Sequence, residues 1–286
     1  MNILITGCNG QLGNEIRLLE NRHPEHVFFN TDVSELDITK ADQVDAYVQN
    51  NKIDGIINCA AYTAVDKAES DLDLCRLLNS TAPAYLADAV QRRNGWMIQV
   101  STDYVFDGTN HIPYLESDPT APIGVYGNTK REGEIEVMNR CRQAVIIRTA
   151  WLYSTFGNNF VKTMLRLGRE KQQLGVISDQ IGTPTYAADL AEAILHIIDK
   201  GIVAGIYHYT DEGVAGWYDF TKAIHRIAGI TTCQVNAIGT EDYPTPARRP
   251  HYSVLNKKKI KDTFDLSIPH WEESLVRCID KLTHNA

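Results

Sequence analysis

Ile3-Leu4-Ile5-Thr6-Gly7-Cys8-Asn9-Gly10-Gln11-Leu12-Gly13 opens the chain with an apolar run that breaks into three glycines spaced three residues apart. The run reads as a buried strand, and the sequence after it predicts a helix from near Asn14. Glycines in that turn let the backbone double back sharply, approach a ligand closely and pack helix against strand. N–H groups at the start of such a helix favour a phosphate. The spacing of the glycines is weak evidence taken alone. Its place between a first strand and a first helix identifies the phosphate-binding turn of a dinucleotide site.

Working outward, a second strand around Val27-Phe28-Phe29 ends at Thr31-Asp32. An acidic residue there meets the adenosine ribose and repels a 2′-phosphate, which leans the preference toward NADH over NADPH. Further apolar runs follow at Gly55-Ile56-Ile57, Trp96-Met97-Ile98-Gln99-Val100 and Ala144-Val145-Ile146-Ile147, with helix-period sequence between them, including a long stretch from about Leu72 to Arg93. Strands alternating with helices predict an α/β fold: a Rossmann-type doubly wound parallel sheet covered on both faces. After Trp151 the alternation becomes irregular, with aromatic, proline and glycine residues crowded into 153–185 and 238–250. We therefore expect residues 1–150, joined by about 186–209, to form the dinucleotide-binding domain. Residues 151–185 and 210–286 are expected to form a smaller, discontinuous C-terminal substrate lobe.

Composition narrows the function classes. At 286 residues, 43% apolar and 22% charged, the chain can bury a full core, and it has no apolar run of the ~20 residues that span a bilayer. Its net charge of −8 is the wrong sign for a nucleic-acid partner. The one basic run, Lys257-Lys258-Lys259 with Lys261, reads as a solvated helix face. Six cysteines stand singly, without metal-ligand spacing, as expected of thiols in a reducing cytoplasm. The strand-like start at Met1 leaves no secretory leader to be expected.

Tyr126-Gly127-Asn128-Thr129-Lys130 sets a phenol and an ammonium four residues apart, on one face of a helix. An ammonium beside a phenol favours the phenolate, bringing a group whose ordinary pKa is ~10 closer to use near neutrality. Tyr218 and Lys222 repeat the spacing, so position has to choose between the pairs. Thr102 follows the fourth strand, at a carboxyl end facing the ligand crevice, and its hydroxyl can hold a substrate carbonyl beside Tyr126. The second pair, after Trp217, reads as the start of an amphipathic helix.

These motifs, together with Asn58 to Glu69, Ser101 to Phe106, Arg148 to Tyr153, Gly157 to Phe160, Asp179 to Thr185 and Tyr243 to Pro250, resemble the dTDP-4-dehydrorhamnose reductase family of extended short-chain dehydrogenases/reductases. The resemblance covers nearly the whole chain. It implies a cytoplasmic NADH- or NADPH-dependent reduction of the 4-keto group of a nucleotide-linked deoxysugar, most simply dTDP-4-dehydro-L-rhamnose to dTDP-L-rhamnose. By the same resemblance Tyr126 is the proton donor, Lys130 its partner and a ribose ligand, and Thr102 the third member that orients the carbonyl. Gly7, Gly10, Gln11, Leu12 and Gly13 would cradle the pyrophosphate, Asp32 the ribose, and Asp37-Ile38 the adenine. Ala61, Tyr62 and Thr63 would line the nicotinamide half. Asp103 and Trp151 would contact the sugar, and Arg249 its diphosphate. Some family members bind Mg2+ through three glutamates at a homodimer interface. Glu15 matches one of them, Asp189 stands at the second, and the third has no placed counterpart. Glu15 reads equally well as an acidic first-turn residue.

Two other functions compete. A nucleotide-sugar 4,6-dehydratase or epimerase shares the fold, but a dehydratase follows its threonine with Asp-Glu, and here Thr102-Asp103 is followed by Tyr104. A non-catalytic nucleotide-sugar-binding regulatory subunit would have no need of Thr102, Tyr126 and Lys130 together.

Overall fold

Ile3, Leu4 and Ile5 are all fully buried, and for consecutive strand residues this requires both faces of the sheet to be covered. The computed structural model describes residues 1–284. The chain runs through β1 (Asn2–Thr6), α1 (Gln11–Leu19), β2 (Val27–Thr31), α2 (Ala41–Asn50), β3 (Gly55–Asn58), α3 (Val65–Ala68) and α4 (Leu72–Arg76). Then come α5 (Ala82–Arg92), β4 (Trp96–Thr102), α6 (Val125–Arg140), β5 (Gln143–Thr149), β6 (Leu152–Tyr153), α7 (Phe160–Glu170), β7 (Gln173–Ile177), β8 (Ile181–Gly182) and β9 (Thr185–Tyr186). It ends with α8 (Ala187–Lys200), β10 (Gly205–His208), β11 (Ala215–Gly216), α9 (Trp217–Ile227), β12 (Gln234–Ile238), α10 (Lys258–Phe264) and α11 (Trp271–His284).

Six of the strands form one parallel sheet in the order β2-β1-β3-β4-β5-β10. Alternate residues divide between two cores. Ile3, Ile5, Ile57, Ile98, Val145 and Ile147 pack with α1 and α8 on one face. Leu4, Ile56, Met97, Ala144 and Ile146 pack with α2 and α5 on the other. Because β2 and β3 flank β1 on opposite sides, the connections leaving β1 and β3 diverge and open a crevice at the carboxyl ends of the strands.

A third core lies beyond the sheet, built around Tyr153, Val161, Leu165, Tyr186, Phe220, Trp271 and Leu275 from β6, α7, β9, α9 and α11. Three two-stranded pieces, β6-β9, β7-β12 and β8-β11, frame it. Between these segments α8 and β10 return to the large sheet, where Leu190, Ile194 and Ile197 join the first core and β10 pairs with β5.

Three local expectations change. The first helix starts at Gln11 rather than near Asn14, because Gly10 takes an extended conformation and serves as its N-cap. The helix foreseen over Leu72 to Arg93 is broken by a wide π-type turn at Leu77–Thr81. Pro83 explains the break, since it has no N–H to donate to the Asn79 carbonyl and its ring crowds that group. The basic run is solvated only in part: Lys258 and Lys259 are exposed, but Lys257 is buried beside Glu212 at 3.4 Å and Lys261 reaches the same carboxylate at 2.6 Å. Among the described residues no helix is long and apolar enough to cross a membrane.

Candidate active site

The crevice is a cleft of about 1030 Å³. Its floor is the first glycine turn. Gly7 has a φ of +64°, and a Cβ there would stand 2.8 Å from the Ala60 nitrogen, so only glycine fits where the chains from β1 and β3 part. The first helical bond of α1 runs from the Asn14 N–H to the Gly10 carbonyl, which leaves the N–H groups of Gln11, Leu12 and Gly13 without helical acceptors. Starting the helix at Gln11 thus aims three donors into the cleft, a built cradle for a pyrophosphate. Asp32 sits at the end of β2, where one carboxylate oxygen accepts from the Val33 N–H at 2.8 Å and the other from the Asn9 N–H at 3.2 Å. No arginine is among the residues that line the cleft.

Of the residues expected at the site, Gly7, Gly10 to Gly13, Asp32, Asp37, Ile38, Ala61, Thr63, Thr102, Asp103, Tyr126, Lys130 and Trp151 all line this one cleft. Tyr62 and Arg249 do not. The Tyr62 ring packs on Ala68 and Cys75, and its hydroxyl donates to Asp71 at 3.2 Å, which turns the side chain away from the cleft. Arg249 is held by Asp66 at 2.8 Å and also donates to the Ala247 carbonyl, so its guanidinium is committed to a carboxylate on α3.

Tyr126 and Lys130 stand one turn apart on α6. A Cβ on Gly127 would lie 2.2 Å from the Tyr104 carbonyl oxygen, so this glycine lets the start of α6 settle against the segment that follows β4. That contact brings the Tyr126 phenol beside the Thr102 hydroxyl. Burial raises the phenol well above its ordinary value, with the Thr102 hydroxyl pulling the other way and Asp103 adding to the rise. The sequence pointed to Lys130 as the group that eases the phenol toward its anion. In the structure the Lys130 ammonium instead donates to the Val100 carbonyl at 2.7 Å, and burial pushes it down to about 8, against the pull of Glu134. Tyr126 therefore carries its proton at neutral pH, as a proton donor must.

The Thr102 hydroxyl donates to Asp103 at 3.0 Å. Burial pushes the Asp103 carboxyl up to about 6, against the downward pull of the Ser253 and Thr102 hydroxyls. Because this folded value exceeds the unfolded one of 3.8, the folded chain holds the Asp103 proton more tightly. Asp103 accordingly costs no stability below the unfolded value, and the cost grows as pH rises until it is complete above about 6. Asp103→Asn should stabilise the protein by roughly 1–3 kcal/mol at pH 8, a gain that shrinks as pH falls through 6 toward 4. Urea unfolding across that range measures it, and a gain independent of pH would contradict this reading.

Two parts of the site were not foreseen. Trp151 has a left-handed backbone with a φ of +48°, uncommon for a bulky residue and a mark of functional sites. Its ring stacks on Trp217 at 3.5 Å with the planes 10° apart. Trp217 read as the first residue of an amphipathic helix; the aromatic crowding around it was the available signal. The other is Glu134, one turn beyond Lys130. Fully buried, it accepts from Ser101 at 2.6 Å, from Arg148 at 2.9 and 2.8 Å and from Arg131 at 3.1 Å, tying α6 to β4 and β5. The four-residue recurrence of Tyr126, Lys130 and Glu134 could have revealed it.

The residues matched to a Mg2+ site do not fit one. Glu15 accepts from the Ser154 hydroxyl at 2.6 Å. Both Asp189 oxygens accept from Arg277, at 2.6 and 2.7 Å, and one also accepts from Ser274. A guanidinium thus occupies the donors that a hard cation would need. The cleft thiol Cys59 is pushed up to about 12 by burial, which leaves it a poor nucleophile.

The family described as the RmlD substrate binding domain matches residues 1–284. A dTDP-4-dehydrorhamnose reductase of Escherichia coli K12 is 41% identical over 99% of this chain and 98% of its own length. A crystal structure of a dTDP-4-dehydrorhamnose reductase from Clostridium acetobutylicum superposes with a TM-score of 0.95 at 44% identity, covering 99% of this chain and all of that one. The corresponding enzyme from Bacillus anthracis, solved in complex with NADP, gives 0.93 at 39% identity over 98% of this chain and 99% of that one.

Proposed function

The chain belongs to the RmlD substrate binding domain family, and we propose that it reduces the 4-keto group of a nucleotide-linked deoxysugar, dTDP-4-dehydro-L-rhamnose being the substrate its relatives indicate. The observation that carries this reading is the protonated Tyr126 phenol beside Thr102 and Lys130 in the cleft that begins at the glycine turn.

When bound, the nicotinamide cofactor supplies a hydride to the carbonyl carbon. Tyr126 then breaks its O–H bond to protonate the C4 oxygen, and Thr102 holds that oxygen in line. Lys130, directed along β4 by the Val100 carbonyl, holds the ribose hydroxyls. Gln11, Leu12 and Gly13 offer their N–H groups to the pyrophosphate, while Asp32 accepts from the adenosine ribose and leans the choice toward NADH. The Trp151–Trp217 stack gives the sugar nucleotide an apolar wall, and Asp103 hydrogen-bonds the sugar. Elimination chemistry is disfavoured because the position after Asp103 is a half-buried tyrosine, Tyr104, edge-on to Tyr126, where a dehydratase needs a second carboxylate. The six unpaired cysteines support a cytoplasmic setting.

The test is steady-state reduction of a panel of 4-keto deoxysugar nucleotides with NADH and NADPH, in the native protein and in Trp151→Ala. Turnover of a dTDP-linked 4-keto sugar is expected. Trp151→Ala should raise the sugar-nucleotide KM by roughly tenfold or more, with cofactor KM nearly unchanged. Collapse of cofactor binding in that variant would show that Trp151 supports the fold and not the sugar.

A further inference from the structure

His23-Pro24-Glu25-His26 lies between α1 and β2, at the end of the sheet opposite the cleft. The His26 N–H donates to the His23 carbonyl at 3.0 Å, closing a turn in which Pro24 takes the position its fixed φ suits. This turn brings the two imidazoles parallel, 6.3 Å apart and 6° from coplanar, and Phe28 sits edge-on to His26. Asp199 faces them from the last turn of α8, where a carboxylate is disfavoured by the helix dipole and calls for a cation.

Three donor atoms converge, one each from His23, Glu25 and Asp199, all within 4.8 Å of one another, and His26 flanks the two carboxylates. His23 Nδ1 lies 3.2 Å from Asp199 Oδ2 and 3.6 Å from Glu25 Oε1, and His26 Nε2 lies 3.4 Å from Asp199 Oδ1 and 3.7 Å from Glu25 Oε1. Charge-assisted hydrogen bonds close to about 2.7–2.9 Å, so these contacts are long for direct pairing. Donors placed tetrahedrally at about 2.0–2.2 Å from a shared Zn2+ stand about 3.3–3.6 Å apart, close to the 3.2 and 3.6 Å from His23 Nδ1 to Asp199 and Glu25. His26 is nearly buried, with a side-chain exposure of 7%, and its contacts with both carboxylates help hold them in place.

We propose that His23, Glu25 and Asp199 form a three-ligand site for a borderline divalent cation, Zn2+ above all, with His26 beside it and water taking the fourth place. One imidazole and two carboxylates match Zn2+ in ligand type and cancel its charge, whereas Mg2+ favours an octahedral oxygen shell. The ion clips the turn before β2 to the end of α8. Lying away from the carboxyl ends of the strands, it stabilises the fold and leaves the chemistry alone.

The test uses the full chain without an affinity tag, stripped with chelator and dialysed against Zn2+, then analysed for metal content and melted. One tightly held Zn2+ per chain is expected, with a rise in Tm of about 5 °C at saturation and no such rise with Mg2+. Co2+ in its place should give the absorption of a tetrahedral ion. His23→Gln should lose the ion, and Asp199→Asn, at the more exposed ligand, should bind at least tenfold more weakly while still folding. Both variants should keep the reductase turnover of the parent. Failure to retain Zn2+, an octahedral Co2+ spectrum, or equal binding by Asp199→Asn would overturn the site.

Discussion

Tyr126→Phe should lower kcat by about 10²–10⁴ while affinities for cofactor and sugar nucleotide stay nearly unchanged. The variant loses the one proton that the site holds ready for a carbonyl oxygen. The ring remains to pack edge-on against Tyr104 at 5.6 Å, so the walls of the cleft keep their shape. Tyr218→Phe serves as the control, since Tyr218 packs at the margin of the third core and does not line the cleft. Rapid-mixing and steady-state kinetics on both proteins decide the matter. Turnover surviving in Tyr126→Phe but lost in Tyr218→Phe would refute the choice of site.

Glu134→Ala should cost about 3–5 kcal/mol of stability, read as a lower urea midpoint. Arg148, with 1% of its side chain exposed, donates to both Glu134 oxygens and lies over the Phe106 ring at 5.1 Å. Removing the carboxylate leaves that guanidinium buried beside His208, which burial pushes down to about 3 and so keeps uncharged. No other carboxylate is hydrogen-bonded to Arg148 among the described residues. Glu134→Gln, which can still accept one hydrogen bond, should lose less. A loss below about 1 kcal/mol in Glu134→Ala would mean that the network does not support α6, and with it the placement of Tyr126 and Lys130.

Local sequence carried most of the fold. Consecutive apolar residues such as Ile3 to Ile5 and Val145 to Ile147 can satisfy a sheet only when both faces are covered, and the glycine turn after β1 marks where the cleft must open. Tyr126, Lys130 and Thr102 were legible for the same reason: helix period and strand end fix where their side chains lie. What escaped depends on partners far away in the chain. Arg249 meets Asp66 across 183 residues, and Lys257 meets Glu212 across β11, α9 and β12, so neither pairing leaves a periodic trace. The Trp151–Trp217 stack has the same origin. The start of α1 was misjudged by three residues because Gly10 caps it through backbone conformation, without the side-chain oxygen that usually announces a helix. The turn at Leu77–Thr81 was hinted at by Pro83, yet its width depends on Asn79, whose side chain is spent on the Tyr62 backbone and the Thr129 hydroxyl.

The most direct test of the central claim is to supply reduced nicotinamide cofactor carrying deuterium on its transferable position, together with dTDP-4-dehydro-L-rhamnose, and to locate the label by NMR and mass spectrometry. The account predicts one deuterium at C4 of the sugar for each cofactor oxidised, with oxidised cofactor released, and a rate that collapses in Tyr126→Phe. Sugar product without deuterium, or isomerised or dehydrated sugar formed with no net oxidation of cofactor, would contradict it.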